Sequence, residues 1–343
     1  LDTIREVGRD VRAPSSYELA EIYLPEACQE IKQWILRFAN MWQERGVTIM
    51  CDGWSSMTRY NIINFLIYSN GITVYHKSVD ASHVTCKDAD YYLKLMKKVV
   101  EEVGAEKVVQ IVTDNASAMK AAGMRLMDEY PTLYWTPCAA HCLDLILEDL
   151  AGKTNIGKVI ETARKISNYT CKYDWVVNYM KKFTNGRDIV RAGITRFATN
   201  FVSLESVVKH KTALRDMWES FEWQNSRWGK ANNAQAKEVR ELILSSTPEA
   251  LKFWRNADDV LKVHEPLVRV LRLVDGDDKP TMGYIYEAMV RAKYAIKDNC
   301  RYYQRYWDII DRRWNFQLHS DLHAAGKTKL SFFFNYLIFC ISD

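Results

Sequence analysis

The segment Val108-Val-Gln-Ile-Val-Thr-Asp-Asn-Ala-Ser117 decides the fold. Val108 to Thr113, rich in β-branched residues, reads as a buried strand, and the polar residues after it open a helix from about Ala116 to Tyr130. Asp114 therefore stands at the edge of a sheet, where a carboxylate stays reachable. A second strand, Val47 to Cys51, also ends in an acid, Asp52, followed by Gly53 and Trp54. Two carboxylates at the ends of two strands of one sheet can hold a divalent cation between them. Taken singly, each has an ordinary role: Asp52 in an Asp-Gly turn, Asp114 or Asn115 as a helix cap.

Outward from these strands the hydrophobic period organises the chain. Residues 1–45 read as a helical lead-in, with Ser15-Ser16 as a cap and apolar residues at helical spacing from Cys28 to Trp42. Ile62 to Tyr68 and Ile72 to Val79 are further strands, joined by the hairpin signal Ser69-Asn70-Gly71. A helix is expected from Asp88 to Val103, ended by Gly104, then a short fifth strand at Leu133-Tyr134-Trp135 and a helix from Cys138 to Leu150. The order β-β-β-α-β-α-β-α within residues 46–152 is that of an RNase H-like mixed α/β sheet. Residues 153–326 read as an all-helical domain, with breaks near Gly186, Gly193, Gly229, Pro248 and Gly276 to Pro280. Residues 327–343 form an atypical apolar tail.

Composition narrows the function classes. With 343 residues, 48% of them hydrophobic and 26% charged, the chain buries a large core and is not globally disordered. Its 8 cysteines are scattered without the pairing of a secreted disulfide scaffold, which fits cytosol or nucleus. The run Leu330 to Ile341 is too short to span a bilayer and contains Asn335, so no membrane association is expected. Charge is uneven: 15 Lys and Arg against 21 Asp and Glu in residues 1–150, but 32 against 22 in residues 151–343. An acidic half joined to a basic half suits a cation-binding core with a polyanion-binding surface.

Three constellations carry this chemistry. Asp52 and Asp114 are the metal-holding and catalytic candidates, with Mg²⁺ or Mn²⁺ as the cofactor for phosphodiester cleavage. Asp88 and Asp90 sit where a third carboxylate would be found, although an acid at a helix start also answers the helix dipole. Cys138 and His141, three apart on one helix, share a face but lack the second pair that a zinc site needs. From Lys153 to Asp216 there are 13 basic against 5 acidic residues, and Lys181, Lys182, Arg187, Arg191 and Arg196 are the candidate phosphate contacts. Most of the interleaved tryptophans read as core.

The stretches Cys51-Asp-Gly-Trp-Ser-Ser, Lys77-Ser-Val-Asp-Ala-Ser, Val112-Thr-Asp-Asn-Ala-Ser and Leu133-Tyr-Trp-Thr-Pro-Cys-Ala-Ala-His-Cys-Leu-Asp-Leu resemble the hAT transposase superfamily. The likeness is strongest to its plant members that carry a conserved domain of unknown function. Thr195-Arg-Phe-Ala-Thr-Asn-Phe, Lys279-Pro-Thr-Met-Gly-Tyr-Ile-Tyr-Glu-Ala-Met and Leu322-His-Ala-Ala-Gly extend it to Gly326. The resemblance implies a nuclear, transposable-element-derived protein that binds DNA and associates with transposase-like proteins. It also implies an RNase H-like domain interrupted by a helical insertion. It places the first two catalytic acids at Asp52 and Asp114 and the family's Cys-x-x-His motif at Cys138 and His141. The family's Arg-Trp pair becomes Arg196-Phe197.

Three departures are expected to matter. The BED zinc finger is missing from the sequence, as are the third acid and the C-terminal dimerisation region around it. The tail after Gly326 resembles nothing in the family. The resulting expectation is a DNA-binding protein that is catalytically incomplete. The alternatives are an active metal-dependent nuclease or transposase that uses another acid, and a non-catalytic protein-interaction scaffold.

Overall fold

The computed structural model describes residues 13–56, 58–193, 198–276 and 281–318. The tail beyond Gly326 and Arg196-Phe197 lie outside the described residues. The chain divides into two compact units, one running to Trp135 and the other starting at Thr136.

The first unit opens with a capped turn. Ser15 Oγ accepts the Glu18 N–H at 3.2 Å, and the Glu18 carboxylate accepts the Ser15 N–H at 2.7 Å, a reciprocal capping box. A π-helical stretch, Leu19–Tyr23, leads into α1 (Leu24–Leu36), and α2 (Ala39–Arg45) follows. The single helix expected over Cys28 to Trp42 is thus two. The tight hydrogen bonds from Arg37 N to Trp34 O and from Phe38 N to Ile35 O end the first before the second begins.

β1 (Val47–Ser55), β2 (Asn61–Ser69) and β3 (Ile72–Asp80) then form an antiparallel meander. Asn70 and Gly71, at φ 47° and 85°, make its second turn with the paired left-handed conformations that match the twist of the strands. After α3 (Ala89–Val103), β4 (Val108–Thr113) returns parallel to β1. α4 (Ser117–Glu129) and β5 (Tyr134–Pro137) complete the sheet, whose order is β3-β2-β1-β4-β5. This is the RNase H-like order expected from the sequence.

Alternation explains why the sheet buries one face. Val47, Ile49 and Cys51 on β1 pack with Ile63, Phe65 and Ile67 on β2 and with Val108 and Ile111 on β4. Leu93, Met96, Val99 and Val103 of α3, and Met119, Ala122 and Leu126 of α4, cover them at helical spacing. Each fully buried aliphatic side chain contributes roughly 1.5–3 kcal/mol, so the register is strongly specified.

One boundary differs from expectation in a way that matters for the site. The strand read as Val47 to Cys51 runs on to Ser55, and Asp52, Gly53, Trp54 and Ser55 pair with Asn64, Ile63, Ile62 and Asn61. Asp-Gly is a turn signal only where no neighbouring strand offers ladder partners, and here β2 offers them. Asp52 is therefore a strand residue, not a turn residue.

Beyond the end of β5, the regular elements among the described residues of the second unit are helices: α5 (Ala139–Ala151), α6 (Thr154–Thr170), α7 (Asp174–Phe183), α8 (Ala198–Lys209), α9 (Lys211–Glu219), α10 (Phe221–Asn225), α11 (Ala234–Leu244), α12 (Pro248–Val274), α13 (Ile285–Asn299) and α14 (Gln304–Arg313), followed by a π-helical turn at Trp314–Leu318. α5, which the sequence reading grouped with the sheet, buries Leu143, Ile146, Leu147 and Leu150 in the core of this helical unit. Its Asp149 receives two bonds from Arg313 of α14, at 2.7 and 2.8 Å. That fork holds the Asp149 carboxyl below its ordinary range.

At the centre of α12 lies His264, wholly buried and stacked on Phe201 at 3.8 Å. Its Nδ1 lies 2.6 Å from the Val260 carbonyl, while Nε2 is buried without a hydrogen-bond partner. Burial lowers its pKa to about 4 despite the carbonyl. Among the described residues no helix is long and apolar enough to cross a membrane.

Candidate functional site

The two acids are brought together by pairing. In the parallel β1–β4 register Cys51 stands opposite Thr113, the last pair of that ladder. The next residue on each chain is Asp52 and Asp114. β1 continues past this point along β2, while β4 stops and the chain turns into α4. Sixty-two positions of sequence are thereby closed to successive places on adjacent strands, where β4 ends beside the middle of β1.

Asp114 is fixed from below. Thr113 is fully buried, and its hydroxyl donates to the Asp114 carbonyl at 2.8 Å while accepting the Trp135 indole N–H at 3.1 Å. Gly123 of α4 lets that indole in: a Cβ there would lie 2.2 Å from Trp135 Cδ1. The Asp114 carboxylate accepts the Ala116 N–H at 2.9 Å through Oδ1 and so caps the turn into α4. The cap and the site coexist, because a carboxylate has further lone pairs to offer. Asn115 Oδ1, next in the chain, is buried without a hydrogen-bond partner.

The electrostatics report the same convergence. The Cys51 thiol is pushed well above its ordinary range, first by burial and then by the charges of Asp114 and Asp52. Both carboxylates thus act on one sulfur between them. Tyr92 of α3 is raised by burial and then by Asp114. A divalent cation set against the two acids would neutralise their combined charge.

The donor set fits such an ion in part. Two neighbouring carboxylates are the hard oxygen ligands that Mg²⁺ and Mn²⁺ take, with water or phosphate oxygens filling the remaining positions. Asp88 and Asp90, the other acids of interest, make bonds of their own. Asp88 accepts the Tyr91 N–H at 3.0 Å as the cap of α3, and Asp90 pairs with Arg125 at 2.5 Å. Among the described residues no group of three or more His, Cys, Asp or Glu side chains is placed to share a metal.

Cys138 and His141 do open one helix, as expected. Cys138 caps α5 with its backbone carbonyl bonded to the Cys142 N–H, and His141 is exposed one turn later. Cys142 beside them is buried, and its thiol is pushed up to about 12 by that burial.

The basic candidates fall into two sorts. Lys181 and Lys182, in the last turn of α7, pair with Asp188 at 3.1 Å and Glu222 at 3.6 Å. Lys182 also lies over the Tyr179 ring at 4.9 Å. Arg187 and Arg191 follow, exposed, in a segment without regular secondary structure. Arg196 lies outside the described residues.

Sequence reasoning missed the Trp135–Thr113 buttress and the glycine that admits it. The available signal was a glycine inside a helical pattern, which points to a close approach.

Residues 14–166 match the family model of a domain of unknown function, DUF659. No curated protein matches the chain.

Proposed function

We propose that this chain is a hAT transposase-derived protein that binds DNA in the nucleus, with Asp52 and Asp114 as the surviving pair of an ancestral metal site. The observation that supports the reading is the Cys51–Thr113 pairing, after which Asp52 and Asp114 are the next residues on the two adjacent strands. The matched domain, typical of hAT-like transposase-related proteins, supports the ancestry. Exposed Arg187 and Arg191, with Lys181 and Lys182 beside them, supply the phosphate-neutralising charge on the helical unit.

Asp52 and Asp114 would hold Mg²⁺ or Mn²⁺, which when bound supplies charge to polarise a phosphodiester and activate water. The protein's own part is placement. Thr113 and Trp135 hold the backbone of Asp114, and the β2 ladder holds that of Asp52. A third ligand from Asp88 or Asp90 would have to be shared with the α3 cap or the Arg125 pair, so the reading favours binding of DNA over its cleavage by this chain. Partners are then DNA and other transposase-like proteins.

A Mg²⁺ or Mn²⁺ nicking assay with Asp52→Asn and Asp114→Asn controls, run beside gel shifts at rising salt, tests this. Duplex DNA should shift at low salt, lose affinity steeply as salt rises, and stay uncut. Metal-dependent nicking abolished by both substitutions would replace the proposal with an active nuclease. No shift at low salt would leave a protein-interaction scaffold.

A further inference from the structure

A second feature, independent of the acidic pair, lies on the helical unit. Four groups form a continuous stack: Tyr179 and Trp175 at 4.9 Å and 10°, Trp175 and Trp228 at 4.3 Å and 9°, and the Arg227 guanidinium 4.4 Å from the Trp228 centroid. Trp175 already occupies one face of Trp228 at stacking distance, so Arg227 must cover the other. The ladder therefore begins in the core and ends at an exposed planar cation. Its outer end opens on a cavity of about 360 Å³, lined among others by Tyr173, Lys172, Asn233 and Gln235. Lys172 lies 5.3 Å from the centroid of the Tyr173 ring, which is 40% exposed. The rim is held by the Tyr169 hydroxyl donating to the Trp228 carbonyl at 3.4 Å and by Arg240 donating to the Gly229 and Ala231 carbonyls.

We propose that this cavity receives one unpaired nucleotide of a single-stranded nucleic acid, its base extending the ladder on the Arg227 plane and its phosphate meeting Lys172. The chemistry selects the guest. An aromatic box of this size otherwise suits a quaternary ammonium, but here two cations already sit on its rings and would repel one. An anion carrying a flat π-surface satisfies both. Bases stack on aromatic rings and on guanidinium planes, and Lys neutralises the adjoining phosphate. The Asn233 and Gln235 amides offer donors and acceptors to a base edge. None of the lining side chains is acidic. The inference deepens the DNA-binding reading and rests on it for the class of polymer.

The test is the affinity of the full chain for a short labelled oligothymidylate, followed by anisotropy and by tryptophan fluorescence. A duplex of the same length, inorganic phosphate and a trimethyllysine peptide serve as competitors. Arg227→Ala and Lys172→Ala alter exposed side chains and leave the ladder's core in place. Trp228→Phe keeps a ring in the stack with a weaker platform. The strand should quench the tryptophans, and each of the two alanine variants should weaken its binding by about tenfold, the order set by one stacked base or phosphate contact. Duplex binding through Arg187 and Arg191 should change much less, and Trp228→Phe should fall between wild type and Arg227→Ala.

Equal losses for strand and duplex would overturn the proposal, since the cations would then be a general phosphate surface. So would competition by inorganic phosphate as good as that by the strand, or tighter binding of the peptide. Wild-type duplex binding without strand binding would sink this inference alone. Strand binding without duplex binding would sink the duplex reading and leave this one standing.

Discussion

The sheet unit and the helical unit place their functional groups by different physics. In the sheet, position is dictated by backbone pairing: once Cys51 faces Thr113, the residues that follow, Asp52 and Asp114, come next on adjacent strands. In the helical unit no ladder links one element to the next. There Trp175, Trp223 and Trp228 meet because apolar faces pack, and the exposed cations are left where the helices end. A pairing-built site tolerates surface change and fails when its register fails. A packing-built site fails gradually, residue by residue.

The sharpest way to break this contrast is to disturb the register without touching an acid. Gly123→Val sets a branched side chain into the Trp135 indole, which already lies 2.2 Å from where a Cβ would stand. Overpacking of this kind should cost about 3 kcal/mol or more. Hydrogen exchange should show β1 and β4 amides losing protection while those of α12 keep theirs. Equal loss in both units would mean that they do not respond separately.

A comparable effect of opposite origin belongs to the helical unit. His264 titrates near 6.5 when unfolded and near 4 in place, so the unfolded chain takes up its proton first as pH falls. Stability present above pH 6.5 is therefore lost progressively down to about pH 4, by roughly 3 kcal/mol in all. Denaturant melts of His264→Phe should be flatter across that window than those of wild type. Identical slopes would show that the histidine is not held neutral.

Next in size is the Arg313–Asp149 fork, about one-third exposed. Arg313→Ala should lower stability by about 1–2 kcal/mol after solvent screening, and Arg313→Lys should recover only part because it cannot form both bonds. The smallest effects concern DNA. Arg187→Ala and Arg191→Ala should each reduce the salt slope of duplex binding by about 1. Lys181→Ala and Lys182→Ala should reduce it less, because Asp188 and Glu222 already neutralise those amines.

How far the sequence spoke follows the same contrast. Strand order, hairpin and helix order were legible, because a period of two and the Asn70-Gly71 turn are local signals. Asp88 was read as an acid at a helix start, and the structure adds that its carboxylate caps that helix. Asp52 was found, but its strand was read as ending at Cys51, since Asp-Gly carries no mark of the β2 partners that extend it to Ser55. The grouping of α5 with the helical core escaped, because an apolar helical face does not name the neighbour that covers it. The aromatic ladder escaped too: Trp175 and Trp228 are fifty-three positions apart, and nothing in spacing foretells a stacked contact.

The pairing of Asp52 with Asp114 at one cation is best tested by titrating Mn²⁺ into the wild-type chain, Asp52→Asn, Asp114→Asn and the double variant, with bound ion followed by electron paramagnetic resonance. Wild type should show one binding event that either single substitution removes as completely as both together. Mn²⁺ binding that survives each single substitution unchanged would contradict the pairing.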